Sequence, residues 1–161
     1  CRRAKGRRTS TGRIMVKISG GNKLEAALAE IAKRVTQASS VDIGLLDGAT
    51  YPDGTSIPMV AAIQEFGAPA RNIPPRPFFR NMIAAKSPEW PEAVGELLIS
   101  NDYDASKTLG QTGAAIKGQL QQSIADFNGV PLSEATIAKK GSSKQLIDTG
   151  VMINSVDFEV K

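Results

Sequence analysis

Histidine is absent from this sequence. That removes the imidazole general base, the Ser-His-Asp and Cys-His nucleophile arrangements, and the commonest transition-metal ligand. Cysteine occurs once, at Cys1, so no intrachain disulfide can form and no cysteine-based zinc site can be built. The aromatics number only five Phe, two Tyr and one Trp, and no apolar run approaches the roughly 18–20 residues of a membrane-spanning helix. Neither a GxxxxGK[ST] phosphate loop nor a GxGxxG fingerprint is present. Thr136 and Lys139 have the spacing of a nucleophile followed by a lysine, but the companion SDN and KTG motifs are missing, and the segment reads as a helix with an exposed lysine. Asp42, Asp47 and Asp53 are scattered over a strand and a turn without the Gly and terminal Glu of a calcium loop. No enzyme, no cofactor and no metal site is expected, and no membrane partner.

What is there begins with 161 residues, of which 41% are hydrophobic and 22% charged, enough for one sizeable core. The formal charge of +4 is unevenly placed. Arg2, Arg3, Lys5, Arg7, Arg8 and Arg13 fall in the first 13 residues, where there is no acid, and the remainder carries 14 cations against 16 acids. Residues 1–13 therefore form a basic arm, expected to be solvated and flexible, and 14–161 a single, slightly acidic domain. Met15 coincides with the change in composition and is a candidate alternative translation start.

Residues 14–18 suit a short strand, and Gly20-Gly21 a break. Asn22, with Glu25 three positions on, is a candidate N-cap, and Leu24, Leu28, Ile31 and Val35 recur at helical spacing, predicting a helix over about 23–38 whose apolar face must pack. Residues 41–46 suit a strand, and Tyr51-Pro52-Asp53-Gly54 a type I turn. From Pro58 a short helix is expected with Met59, Ala62, Ile63 and Phe66 on one side and Gly67 as C-cap. Pro69, Pro74, Pro75 and Pro77 predict a stiff, extended loop over 68–80, without regular helix through Phe79 and decorated by Arg71, Arg76 and Arg80.

A helix is expected from Pro88 to about Ile99, and the longest one over about 105–127, capped by Asp104 or Ser106. Gly110, Gly113 and Gly118 should weaken that long helix by about 1 kcal/mol each relative to Ala. With Ala114 and Ala115 they either let another backbone approach closely or are simply tolerated. A short helix from Ser133 to about Lys140 and an alternating strand over 155–160 complete the chain. The fold class is α+β: a small sheet of short, mainly antiparallel strands flanked by helices, one of them long.

Two stretches are more specific. The first is Tyr51-Pro52-Asp53-Gly54-Thr55, then Val60 to Ala68, then Ile73-Pro74-Pro75-Arg76-Pro77-Phe78-Phe79-Arg80. The second is Pro131-Leu132-Ser133, Thr136-Ile137, Lys140-Gly141 and Leu146-Ile147-Asp148-Thr149-Gly150, ending at Ser155. In order and spacing the pair resembles the tailed-bacteriophage virion morphogenesis proteins of the neck and tail-completion type. The basic arm departs from that pattern. The resemblance implies a non-catalytic α+β subunit of a homo-oligomeric ring, of hexameric type, located in the virion neck or tail after assembly in the host cytoplasm. Its implied partners are connector or head-closure proteins on one side, and tail terminator or tail tube proteins on the other.

Ring closure uses a different patch on each side of the subunit. The first candidate for such a patch is Arg71, Pro74, Pro75, Arg76, Pro77, Phe78, Phe79 and Arg80: the loop is stiff, the phenylalanines suit a neighbour's pocket, and Arg76 or Arg80 suits a partner carboxylate. Core positions for Phe78 and Phe79 are the alternative. The segment from Leu146 to Ser155 reads as structural, with Asp148 or Thr149 capping a turn before the last strand. A rival function is nucleic-acid binding through the arm, whose six cations are candidate contacts to DNA, genomic DNA in a connector lumen included, or to an acidic partner.

Overall fold

A computed structural model describes residues 20–129, 131–132, 134, 137–138, 146 and 150–161. The basic arm, the strand expected at 14–18, most of the helix expected at 133–140, and the candidate caps Asp148 and Thr149 lie outside the described residues.

The protein is α+β, organised around one 22-residue helix and a two-stranded antiparallel sheet. The helices are α1 (Gly21–Val35), α2 (Ile57–Phe66), α3 (Phe78–Lys86), α4 (Trp90–Ser100) and α5 (Ala105–Asp126), followed by a one-turn helix, Val151–Asn154. Strand β1 (Val41–Leu45) pairs with β2 (Val156–Val160) in the register Val41 to Val160, Ile43 to Phe158 and Leu45 to Val156. Ser40 and Lys161 extend the ladder, with Lys161 N donating to the Ser40 carbonyl at 2.9 Å. On the solvent face Asp42 stands opposite Glu159, a repulsive cross-strand pair. The Lys161 ammonium offsets it, 2.5 Å from Asp42 Oδ2 and 3.8 Å from Glu159 Oε2.

Asp104 caps α5: its Oδ1 accepts the Lys107 N–H at 2.8 Å. The face α5 turns inward carries Thr108, Thr112, Gly113, Ile116, Leu120 and Ile124. Each large apolar side chain there contributes roughly 1.5–3 kcal/mol by leaving water. The two threonines satisfy their hydroxyls on the helix itself, Thr108 on the Asp104 carbonyl at 2.7 Å and Thr112 on the Thr108 carbonyl at 2.9 Å. The sheet rests on Gly113, where a Cβ would lie 2.5 Å from Phe158 Cδ2 and 2.9 Å from Val41 Cγ2. Close approach therefore explains this glycine, whereas Gly110 and Gly118 face open space. Ile57, Phe78, Met82, Leu146, Met152 and Val156 complete the core around α5.

Three expectations are corrected. Helix α1 starts at Gly21, with Gly20 in the left-handed region (φ 110°) as N-cap and no capping side chain, so Asn22 lies inside the first turn. Most of its apolar face is left open by the described residues: Leu24, 63% exposed, and Leu28 face outward, and only Ile31 is half-buried. Periodicity defines an apolar face but supplies no partner for it.

In α2 the helix and its Gly67 terminus stand, but the packing row is Ile57, Ala61 and Glu65, while Met59 and Phe66 face outward. A buried carboxylate with partners outweighed the apolar count.

Finally, Phe78 and Phe79 are not loop residues; they open α3. Proline obstructs a helix that runs through it, not one that starts just after it, and Pro77 occupies the N-cap position of α3.

Among the described residues the other expected elements hold with small shifts. A 3₁₀ turn, Ser87–Glu89, precedes α4, and Trp90 Nε1 donates to Gln119 Oε1 at 3.0 Å, tying α4 to α5. Gly150 (φ 76°) is the N-cap of the one-turn helix before β2. No helix among the described residues is long and apolar enough to cross a membrane.

Candidate subunit interface

The segment from α2 to α3 is a tight reversal whose first requirement is Gly67. Its φ of 77° lies in the left-handed region, and a Cβ would stand 2.8 Å from Pro75 N and 2.9 Å from the Ile73 carbonyl oxygen. Ala68 and Ile73 then exchange backbone hydrogen bonds at 2.9 and 3.1 Å around a 3₁₀ turn, Pro69–Arg71, with Asn72 left-handed at φ 55°. Returning along α2, Arg76 N donates to the Gln64 carbonyl at 2.7 Å.

At the end of the return, Glu65 meets the start of α3. It is 5% exposed, and its carboxylate accepts the Phe79 N–H at 2.9 Å, the Arg80 N–H at 3.2 Å and Arg80 Nε at 2.7 Å. Two of the amides that a helix leaves unpaired at its N-terminus are thereby satisfied, at the end where the helix dipole favours a negative charge. Arg80 continues over the Phe66 ring, its Cζ 5.1 Å from the centroid, a cation–π arrangement that holds an otherwise loose aromatic side chain. Beside this cluster, Leu45, Ala61, Ala62, Phe66, Phe79 and Leu120 are among the residues lining a mainly apolar groove of about 340 Å³.

The eight residues expected here separate into three groups. Phe78 is 2% exposed and belongs to the core, so for this side chain the core alternative is what the structure has. Pro74, Pro77 and Phe79 are half-buried, with Phe79 on the groove wall, and Arg71, Pro75 and Arg80 are exposed. Arg76, 7% exposed, points back into the fold, where its Nη1 donates to Gln64 Oε1 at 2.6 Å. Burial holds its guanidinium pKa below the ordinary arginine value.

Glu65 and Phe66 are not among the candidate interface residues that the sequence offers. A signal existed: Glu65 is the sole charged residue of the ten-residue α2, and a lone charge in an apolar helix needs a partner. The six cations of the arm lie outside the described residues. Among the described residues no group of three or more Cys, Asp or Glu side chains is placed to hold a metal ion.

Compared with family models, curated proteins and solved structures, the chain finds no match.

Proposed function

We propose that this chain is a structural protein of a tailed-bacteriophage virion, one subunit of a ring in the neck or at the head-proximal end of the tail that completes the tail and joins it to the head. The observation that carries the reading is the amount of apolar side chain left in water on ordered helices. Leu24 and Leu28 of α1 face solvent, as do Met59 and Phe66 of α2, the last 65% exposed. Contiguous exposed apolar surface marks a protein–protein contact, and a ring subunit needs two different ones. In addition, the first of the two stretches behind the family resemblance, 51–55, 60–68 and 73–80, forms consecutive elements in which α2 and α3 are tied together through Glu65, while much of the second stretch lies outside the described residues.

Cryo-electron microscopy of intact particles tests the proposal. Density for this chain in a ring between head and tail is the expected result; its absence from both neck and tail refutes the reading.

A further inference from the structure

Asparagine is a chemically labile side chain, and its fate depends on the residue that follows it and on the backbone around it. The next main-chain nitrogen can attack the side-chain amide carbon. Closing that ring needs a successor without bulk and a backbone that is not fixed at helical dihedrals. The chain holds six asparagines, and the structure separates one of them from the rest. Asn22, Asn81 and Asn154 lie in helices. Asn101 is buried at the end of α4, with its amide donating to Thr108 Oγ1 at 3.3 Å and to Gln111 Oε1 at 2.6 Å. Asn72 precedes Ile73, whose β-branched side chain crowds the attacking nitrogen.

Asn128 has the opposite surroundings. It is exposed, it lies beyond the last residue of α5, Asp126, and its successor is Gly129, which is also exposed. Phe127 has already left the helical region, with ψ 120°, and packs half-buried against the core. The Asn-Gly pair therefore follows a fixed point of the fold directly into water.

We propose that Asn128 is a self-modification site, converted to aspartate and isoaspartate by its own main chain and water. The Gly129 nitrogen gives its proton to solvent base and bonds to Asn128 Cγ, the amide C–N bond breaks, and that nitrogen leaves as ammonia. Water then opens the succinimide at either of its two carbonyl carbons. Opening at one gives aspartate, and opening at the other gives isoaspartate, in which the main chain runs through the former side-chain carbon. Either product adds a negative charge just past the C-terminus of α5, close in sequence to Asp126, at the end where the helix dipole disfavours an anion. The isoaspartate also lengthens the connection between Phe127 and the segment that leads to β2. The chain thus carries a slow, one-way change of charge and backbone whose extent records its age, whatever assembly it enters; the inference does not rest on the ring reading above.

The test incubates the purified full chain in mildly alkaline buffer at physiological temperature. Acidic charge variants are followed by ion exchange and placed by peptide mapping, with isoaspartyl methyltransferase labelling to identify the isoaspartate. The expected result is conversion at Asn128 ahead of the other five asparagines, as a mixture of aspartate and isoaspartate, the signature of a ring opened at two carbonyls. Asn128→Gln should lose the first acidic species. Gly129→Val, which keeps the amide and crowds the nitrogen, should delay it, with circular dichroism confirming that both variants are folded. A free peptide of residues 124–134 serves as the reference for the unconstrained rate. An Asn128 that stays intact in the folded chain while the peptide converts overturns the inference. Earlier conversion at any other asparagine overturns it too, as does a product that is aspartate alone. The mapping of the wild type decides the matter even if a variant fails to fold.

Discussion

Arg80 grips Glu65 at two points, its Nε 2.7 Å from the carboxylate Oε1 and its Nη2 3.1 Å from the Glu65 backbone carbonyl oxygen. The contact joins the last turn of α2 to the first turn of α3 and places Phe66 and Phe79 on the same groove. Because the carboxylate is buried while the Arg80 side chain is 56% exposed, the two partners are not equivalent.

Glu65→Ala removes the acceptor of two helix N-terminal amides and is expected to cost about 2–3 kcal/mol in urea unfolding. Arg80→Met leaves those amides bonded but takes the cation from a buried carboxylate, so a loss smaller than that of Glu65→Ala, about 1–2 kcal/mol, is expected. Equal losses in the two variants would contradict this division.

Gly67→Ala forces a Cβ into the left-handed region and against the backbone of Pro75. The first effect alone costs about 1–2 kcal/mol, and the second requires the reversal to move. A thermal melt should show a clear drop in Tm, with slackening of the α2–α3 reversal visible as faster amide exchange at Arg76.

Gly113→Ala and Gly118→Ala should move stability in opposite directions although both glycines sit inside α5. At Gly113 the added methyl meets the Phe158 ring and Val41, an overpacking cost of about 1–3 kcal/mol that outweighs the gain in helix propensity. Gly118 faces open space, and Ala there should stabilise by up to about 1 kcal/mol. Paired denaturant titrations check the signs.

Phe78→Ala is expected to cost about 3–5 kcal/mol, a core deletion that reports on folding and not on assembly. Phe79→Ser, on the groove wall, should leave a folded subunit by circular dichroism and, on the ring reading proposed above, reduce its incorporation into particles. Normal incorporation of a folded Phe79→Ser subunit would remove the groove from the interface.

Two ends of the pH range act on the sheet through different groups. The hydrogen bond from Lys117, 3.1 Å away, holds the Asp157 carboxyl below its ordinary value, so its contribution is present above the unfolded-state pKa and is lost as pH falls through the folded one. Asp42 holds the Lys161 ammonium above its ordinary value, a contribution present below the unfolded-state pKa and lost as pH rises through the raised one. Lys117→Met should therefore flatten the acid limb of the stability profile, and Lys161→Met the alkaline limb. Both pairs are exposed, so added salt should shrink both effects.

Much of the architecture was legible in local pattern. The Asp104 cap, the extent of the long helix, the Gly67 terminus of α2 and the alternation of β2 are consequences of backbone hydrogen bonding and side-chain period, which act within a few residues. Helix α3 was hidden because four prolines just before it dominate the pattern and its buried residues, Phe78 and Met82, span a single turn.

By itself, then, the sequence determined most of the described helices and strands, α3 excepted, because capping, glycine geometry and periodicity are short-range. It also determined which catalytic groups are absent from the chain. Only the tertiary structure decided that β1 pairs with β2 from the far end of the chain, that Gly113 rather than Gly110 or Gly118 is a contact point, and that Glu65 turns inward while Phe66 turns out. It alone separated Arg80, which has its carboxylate, from Arg76, which has none among the described residues. Such outcomes depend on which remote group arrives to satisfy a charge or cover a face, and that information lies in the packing.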